Sequence, residues 1–176
     1  DPEVALENLE LFDDAMRIHG IRFWLGEGTA LGAVREGRFI PHDDDIDVAV
    51  HGGDLPRFLS TVHPELERAG FELVKVWNKG NFMTYMRRGE TLDVDFVREG
   101  RPCMFLSVGK VGLHGQCQDL ARHMSQLRRL PFYGRVYWVP SNDYLVHQYG
   151  EDWMVPSVSH SSCHARHQCS TSTSTR

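Results

Sequence analysis

The sequence predicts an α/β domain of the α+β kind, a mixed β-sheet flanked by helices, and three observations carry that prediction. Residues 2–19 and 55–69 repeat apolar side chains at helical spacing. Residues 21–25, 46–50 and 91–97 carry the apolar runs or the alternation of strands. Residues 71–77 and 82–87 flank Asn78-Lys79-Gly80-Asn81, a hairpin-type turn composition that makes part of the sheet antiparallel.

Each element has a local cause. In residues 2–19, Val4, Leu6, Leu9, Phe12, Ala15, Met16 and Ile18 form one apolar stripe, acidic residues come early and Gly20 ends the helix. The strand at 21–25 runs into a tight glycine turn, Gly26-Glu27-Gly28-Thr29, followed by a short helix over 30–36 that Gly37 stops. After the strand at 46–50, Asp54 is placed to cap a helix over 55–69, which Gly70 closes. The strand at 91–97 contains two acids, Asp93 and Asp95, among apolar neighbours. A last strand at 135–139 leads through Pro140 and Ser141 into a helix over 143–148.

At 176 residues and 41% hydrophobic content the chain has the size of one domain with a proper core. Residues 1–156 are expected to form that domain, and 157–176, rich in Ser, Thr and His without apolar periodicity, a disordered tail. The net charge of -5 argues against a nucleic-acid-binding surface as the main business, and no apolar run is long enough to span a membrane. Cys103, Cys117, Cys163 and Cys169 contain no C-x-x-C pair, so a disulfide framework is not expected. Cys163, His164, His167 and Cys169 resemble a zinc set in type alone, since nothing apolar surrounds them. The start at Asp1 is read as the loss of an upstream segment. Localisation is left open between the cytoplasm and, with an upstream anchor, the Golgi lumen.

Chemistry concentrates around residues 40–48, IPHDDDIDV, where Asp43, Asp44, Asp45 and Asp47 crowd the entry to an apolar strand. Alternation along an extended chain sends Asp43, Asp45 and Asp47 to one side and Asp44 and Ile46 to the other. Like charges at that spacing repel, and a hard divalent ion, Mg²⁺ or Mn²⁺, relieves the repulsion while using their oxygens as ligands. Two carboxylates at i, i+2 with a third from a neighbouring strand suit phosphoryl transfer. Asp95 and Asp93 are both candidates for that third acid. The turn formed by Gly26, Glu27, Gly28 and Thr29 stands at a helix N-terminus, where backbone amides receive phosphate. Arg35 and Arg38 flank the same segment as candidate phosphate forks. His42 is read as a polar residue at the strand entry. A calcium loop of the EF-hand type is excluded, because Val48 stands where the invariant glycine is needed and Asp54 where a bidentate Glu is needed.

The stretch over residues 24–48, WLGEGTALGAVREGRFIPHDDDIDV, resembles the signature of the LicD/fukutin family within the nucleotidyltransferase-like superfamily. Val94-Asp95-Phe96, the run YGRVYWVP over 133–140 and the run YGEDWMVP over 149–156 resemble its later landmarks. The family often carries Trp where this chain has His42. The resemblance implies a nucleotidyltransferase-like mixed sheet. It also implies Mg²⁺-dependent transfer of a phospho-alcohol, of the phosphocholine or ribitol-phosphate type, from a CDP-activated donor to a glycan or glycolipid acceptor. It assigns Asp45 and Asp47 to the metal-binding pair, Asp95 to the third carboxylate, with Asp93 as the alternative, and Gly26, Gly28 and Thr29 to the phosphate-side turn. A nucleotidyltransferase using a nucleoside triphosphate, or a non-catalytic relative that binds nucleotide or glycan, are the other readings of the same residues.

Overall fold

Asp1 begins the architecture by capping the first helix: its carboxylate accepts from the amides of Glu3 at 2.9 Å and Val4 at 3.3 Å, and Pro2 fills the first helical position. The computed structural model describes residues 1–77, 80–97 and 126–156. Its elements run α1 (Pro2–Ile18), β1 (Phe23–Leu25), α2 (Glu27–Arg35), β2 (Asp45–His51), a 3₁₀ turn at Gly52–Asp54, α3 (Leu55–Arg68), β3 (Glu72–Trp77), β4 (Phe82–Arg87), β5 (Glu90–Val97), β6 (Arg128–Phe132), β7 (Arg135–Val139) and α4 (Asn142–Tyr149). Residues Asp1–Ser141 form one compact unit; a second begins at Asn142 with α4, in which Tyr144 and Leu145 are buried. The tail over 157–176 and all four cysteines lie outside the described residues, as do Asn78 and Lys79 of the hairpin turn.

Five strands form one sheet in the order β1-β2-β5-β4-β3, in which β2 and β5 run parallel and every other pair antiparallel. That is the mixed sheet the sequence predicts. One of its faces carries Ile46, Val48, Val50, Leu92, Val94, Phe96, Met83 and Tyr85, all buried. Against them pack Leu9, Phe12 and Met16 of α1 and Phe58, Val62 and Leu66 of α3. Rings interlock there: Phe58 and Phe96 meet edge to face at 5.0 Å, as do Phe12 and Phe23 at 5.1 Å. Each of these side chains contributes about 1.5–3 kcal/mol of burial. The acids therefore fall on the opposite face, because the two-residue period that buries Ile46 and Val48 turns Asp45 and Asp47 away.

Arg87 fastens the sheet to both helices. Its guanidinium donates to the Ala69 carbonyl at the end of α3 at 2.9 Å, to Asn8 Oδ1 at 2.9 Å and to Glu7 at 2.7 Å, while Asn8 returns a bond to the Arg87 carbonyl at 3.0 Å. Orphan carbonyls at a helix end need such donors.

Beyond shifts of a residue or two at element ends, three features differ from the sequence prediction. The first is α2, which begins at Glu27 rather than Ala30. Gly26 takes the N-cap in an extended conformation and its carbonyl accepts from Ala30 at 2.6 Å, so Gly28 and Thr29 lie in the first helical turn. The second is Asp54, which occupies the cap position of α3 without a side-chain cap bond. The chain enters that helix through the 3₁₀ turn instead, where His51 Nδ1 accepts from the Gly53 amide at 3.1 Å. The third is β6, a strand the sequence does not announce, because Pro131 and two adjacent arginines obscure it. It pairs with β7, and Phe132, Tyr137 and Val139 join the core.

Candidate functional site

The site grows from the contact between α2 and β2. The Gly26 amide donates to the Asp47 carbonyl of β2 at 2.9 Å, which ties the start of α2 to that strand. One turn on, the Thr29 hydroxyl, fully buried, accepts from the Asp47 amide at 2.9 Å, and the Gly28 amide donates to Asp47 Oδ2 at 3.2 Å. The G-E-G-T segment thus grips Asp47 at its amide, its carbonyl and its carboxylate. Glu27 between the glycines sits at φ 30, a region that non-glycine residues rarely occupy.

The loop before β2 is held from the other side. Phe39 stacks on Tyr133 at 5.1 Å and meets Phe132 edge to face at 5.2 Å, and its amide donates to the Tyr133 hydroxyl at 3.2 Å. The β6–β7 hairpin therefore anchors the chain just before the acids. The Asp43 amide then donates to the Ile40 carbonyl at 3.0 Å, a turn that swings Asp43 back toward α2.

Among the described residues, Asp43, Asp45 and Asp47 bring one carboxylate oxygen each to within 4.8 Å of one another. Parallel pairing then places the β5 acids. Asp93 lies directly across from Asp47, and Asp95 one step further, across from Ala49. All five carboxylates are half-buried; Asp45, Asp47, Asp93 and Asp95 share the face of the sheet away from the core, and Asp43, from the loop before β2, joins Asp45 and Asp47 there. Thr84, opposite Asp93 on β4, hydrogen-bonds its carboxylate. Nothing in the local sequence of β4 marks Thr84; only the strand register does.

Burial and crowding govern the protons. Burial first, then the charges of Asp45 and Asp44, pushes Asp43 up to about 7. Burial, with Asp45, Glu27, Asp43 and Asp93 around it, lifts Asp47 well above the ordinary carboxylate range. Burial and Asp93 raise Asp45, burial raises Asp93, and burial with Glu27 takes Asp95 up to about 8. A concentrated positive charge reverses every one of these shifts.

The residues present fit a divalent cation. Three oxygens converge, Asp93 Oδ1 is buried with no hydrogen-bond partner, and Asp43 Oδ2 occupies the space beside Gly28 that a side chain would fill. An all-carboxylate set selects a hard ion such as Mg²⁺ or Mn²⁺. Arg35 and Arg38 are both paired with Glu36, at 2.6 Å and 3.4 Å.

Two solved structures share this architecture. The antibiotic-resistance factor ANT(2'')-Ia superposes with a TM-score of 0.55 and 16% identity over 84% of this chain and 73% of that one. The lincosamide antibiotic adenylyltransferase LnuA, lincomycin-bound, gives a TM-score of 0.56 and 12% identity over 83% of this chain and 86% of that one. The fold is therefore that of the nucleotidyltransferases. Residues 20–142 match the nucleotidyltransferase domain of LicD/FKTN/FKRP, and the chain belongs to that family. It is 43% identical over 56 residues to the lipopolysaccharide cholinephosphotransferase LicD of Haemophilus influenzae, covering 32% of this chain and 21% of that protein. It is 34% identical over 71 residues to an uncharacterized protein of Rickettsia prowazekii, covering 38% of this chain and 26% of the relative. The matched stretch spans about a fifth to a quarter of these curated relatives. No helix among the described residues is long and apolar enough to cross a membrane.

Proposed function

We propose that this chain catalyses Mg²⁺- or Mn²⁺-dependent transfer of a phospho-alcohol, phosphocholine or ribitol phosphate, from a CDP-activated donor to a glycan or glycolipid acceptor. The convergence of Asp43, Asp45 and Asp47 beside the glycine-capped start of α2 carries this reading. Family membership and the cholinephosphotransferase relative support it.

Asp43, Asp45 and Asp47 would hold the ion, with Asp93 and Asp95 extending the acid face along β5. A bound divalent cation neutralises charge on phosphate oxygens and orients them. Gly26, Gly28 and Thr29 fix Asp47, so that its carboxylate needs no reorganisation when a donor arrives. The oxygen of an acceptor hydroxyl attacks the phosphorus bearing the alcohol, the bond from that phosphorus to the CMP oxygen breaks, and CMP leaves. Asp95, across from Ala49 on the acid face of β5, takes the hydroxyl proton, and Asp93 is the alternative base one step nearer Asp47.

The test compares the natural chain with Asp45→Asn and Asp47→Asn, using CDP-choline and CDP-ribitol with Mg²⁺. Metal-dependent release of CMP is expected from the natural chain, with a loss of about 10²–10³ in rate in either variant. Turnover that survives both substitutions unchanged removes the metal assignment. Release of pyrophosphate from a nucleoside triphosphate replaces the reading with nucleotidyl transfer. Donor binding without any product makes the chain a binding relative.

A further inference from the structure

We propose that Lys75 is the cationic arm that grips the diphosphate of the donor, an assignment that rests on the CDP-donor reading above. The observation behind it is a register shift. Leu73 of β3 pairs with Tyr85 of β4, but Lys75 pairs with Thr84, so an extra residue, Val74, is accommodated between them. In an unbroken strand Lys75 shares the face of Leu73, which packs on the core. The bulge turns it to the opposite face, where the acids are.

The consequence is a straight row across four strands: Lys75 on β3, Thr84 on β4, Asp93 on β5 and Asp47 on β2. Two strand spacings, about 10 Å, separate the backbone of Lys75 from that of Asp93, and its positive charge acts on the Asp93 carboxyl. The side chain is exposed, and its ammonium lies 4.8 Å from the centre of the Trp77 ring and 5.9 Å from that of Phe82. Both rings stand on the acid face in the next row, with Trp77 across from Phe82 and Phe82 across from Asp95. Aromatic faces hold a cation without neutralising it, and no carboxylate among the described residues is within ion-pair distance of Lys75. Arg35 and Arg38, by contrast, have Glu36 as a partner. A diphosphate carries more negative charge than one divalent ion cancels. A lysine with its charge intact, on the acid face in the row that ends at Asp47, supplies the remainder as a flexible point charge suited to phosphate.

The experiment titrates CDP, whose diphosphate the proposed donors share, and cytidine, which has none, into the intact chain with Mn²⁺ by calorimetry at low and high salt. Lys75→Met is expected to weaken CDP binding about 10- to 100-fold at low salt, to flatten its salt dependence, and to leave cytidine and Mn²⁺ binding unchanged. Lys75→Arg is expected to recover most of the loss. Equal CDP affinity in Lys75→Met and the natural chain overturns the assignment of Lys75 while the proposed function stands. A natural chain that binds neither Mn²⁺ nor CDP overturns the proposed function and Lys75 with it.

Discussion

Asp43 Oδ2 lies 2.0 Å from the point where a Cβ on Gly28 would sit. The carboxylate of one residue thus occupies the side-chain space of the other, 15 positions away in sequence. Gly28 is helical, so its substitution by alanine removes a flexible residue from α2, a change that favours the helix by about 1 kcal/mol. It also drives Asp43 out of the acid trio. Gly28→Ala is therefore expected to keep its unfolding temperature within a few degrees while losing Mn²⁺ affinity by at least about tenfold, as read by calorimetry. Unchanged Mn²⁺ affinity would remove Asp43 from the site.

Thr29 tests the grip on Asp47 in another way. Valine keeps the shape of the threonine side chain but removes the hydroxyl that accepts from the Asp47 amide. A buried amide left without an acceptor costs about 1–3 kcal/mol, so urea denaturation of Thr29→Val should show a loss of that size. Mn²⁺ binding should fall with it, because β2 is freed at the residue that supplies a ligand. Serine in the same place retains the acceptor and should restore most of both.

The acid cluster sets a pH dependence of stability whose sign is fixed by its direction. A carboxyl whose folded value is raised keeps a proton that the unfolded chain releases, so its contribution is intact below the ordinary carboxylate range and lost as pH rises through the folded value. Asp43 at about 7 and Asp95 at about 8, with Asp47 also raised, place that loss between pH 5 and pH 8. The lowered acids, Glu7, Asp14, Glu36 and Glu65, act in the opposite direction and only in more acidic solution. Metal-free protein is expected to melt at a lower temperature at pH 8 than at pH 5. Mn²⁺ should raise the melting temperature more at pH 8, since protons compete for the same oxygens. A flat metal-free profile with an equal Mn²⁺ gain at both pH values would contradict the crowded-acid description.

Arg87 offers a control remote from the acids. Arg87→Met removes donors to Ala69, Asn8 and Glu7 together, and a stability loss of about 2–3 kcal/mol is expected from chemical denaturation. Mn²⁺ affinity measured on the folded fraction should not change. A matching loss of metal binding would mean that the fastening of β4 to α1 and α3 also sets the geometry of β5.

By itself the sequence determined what short-range periodicity encodes. The spacing of Val4, Leu9, Phe12 and Met16 defines α1, and the alternation in Asp45-Ile46-Asp47-Val48 puts apolar residues on one face of a strand and acids on the other, since both are local consequences of backbone geometry. The resemblance of residues 24–48 to the LicD/fukutin signature lies in the same contiguous stretch, and the family match over 20–142 agrees with it. Hidden in the sequence were relationships fixed by the pairing of distant segments. That Asp93 lies across from Asp47 and Asp95 across from Ala49 depends on the register of β2 on β5, and a shift of one residue would turn both acids to the other face. That Gly28 and Thr29 hold Asp47 depends on how closely α2 approaches β2. The bulge in β3, not the residue type, puts Lys75 on the acid face. Local propensity chose which residues form each element; the tertiary structure chose which residues share a face, because only packing brings separate elements into register.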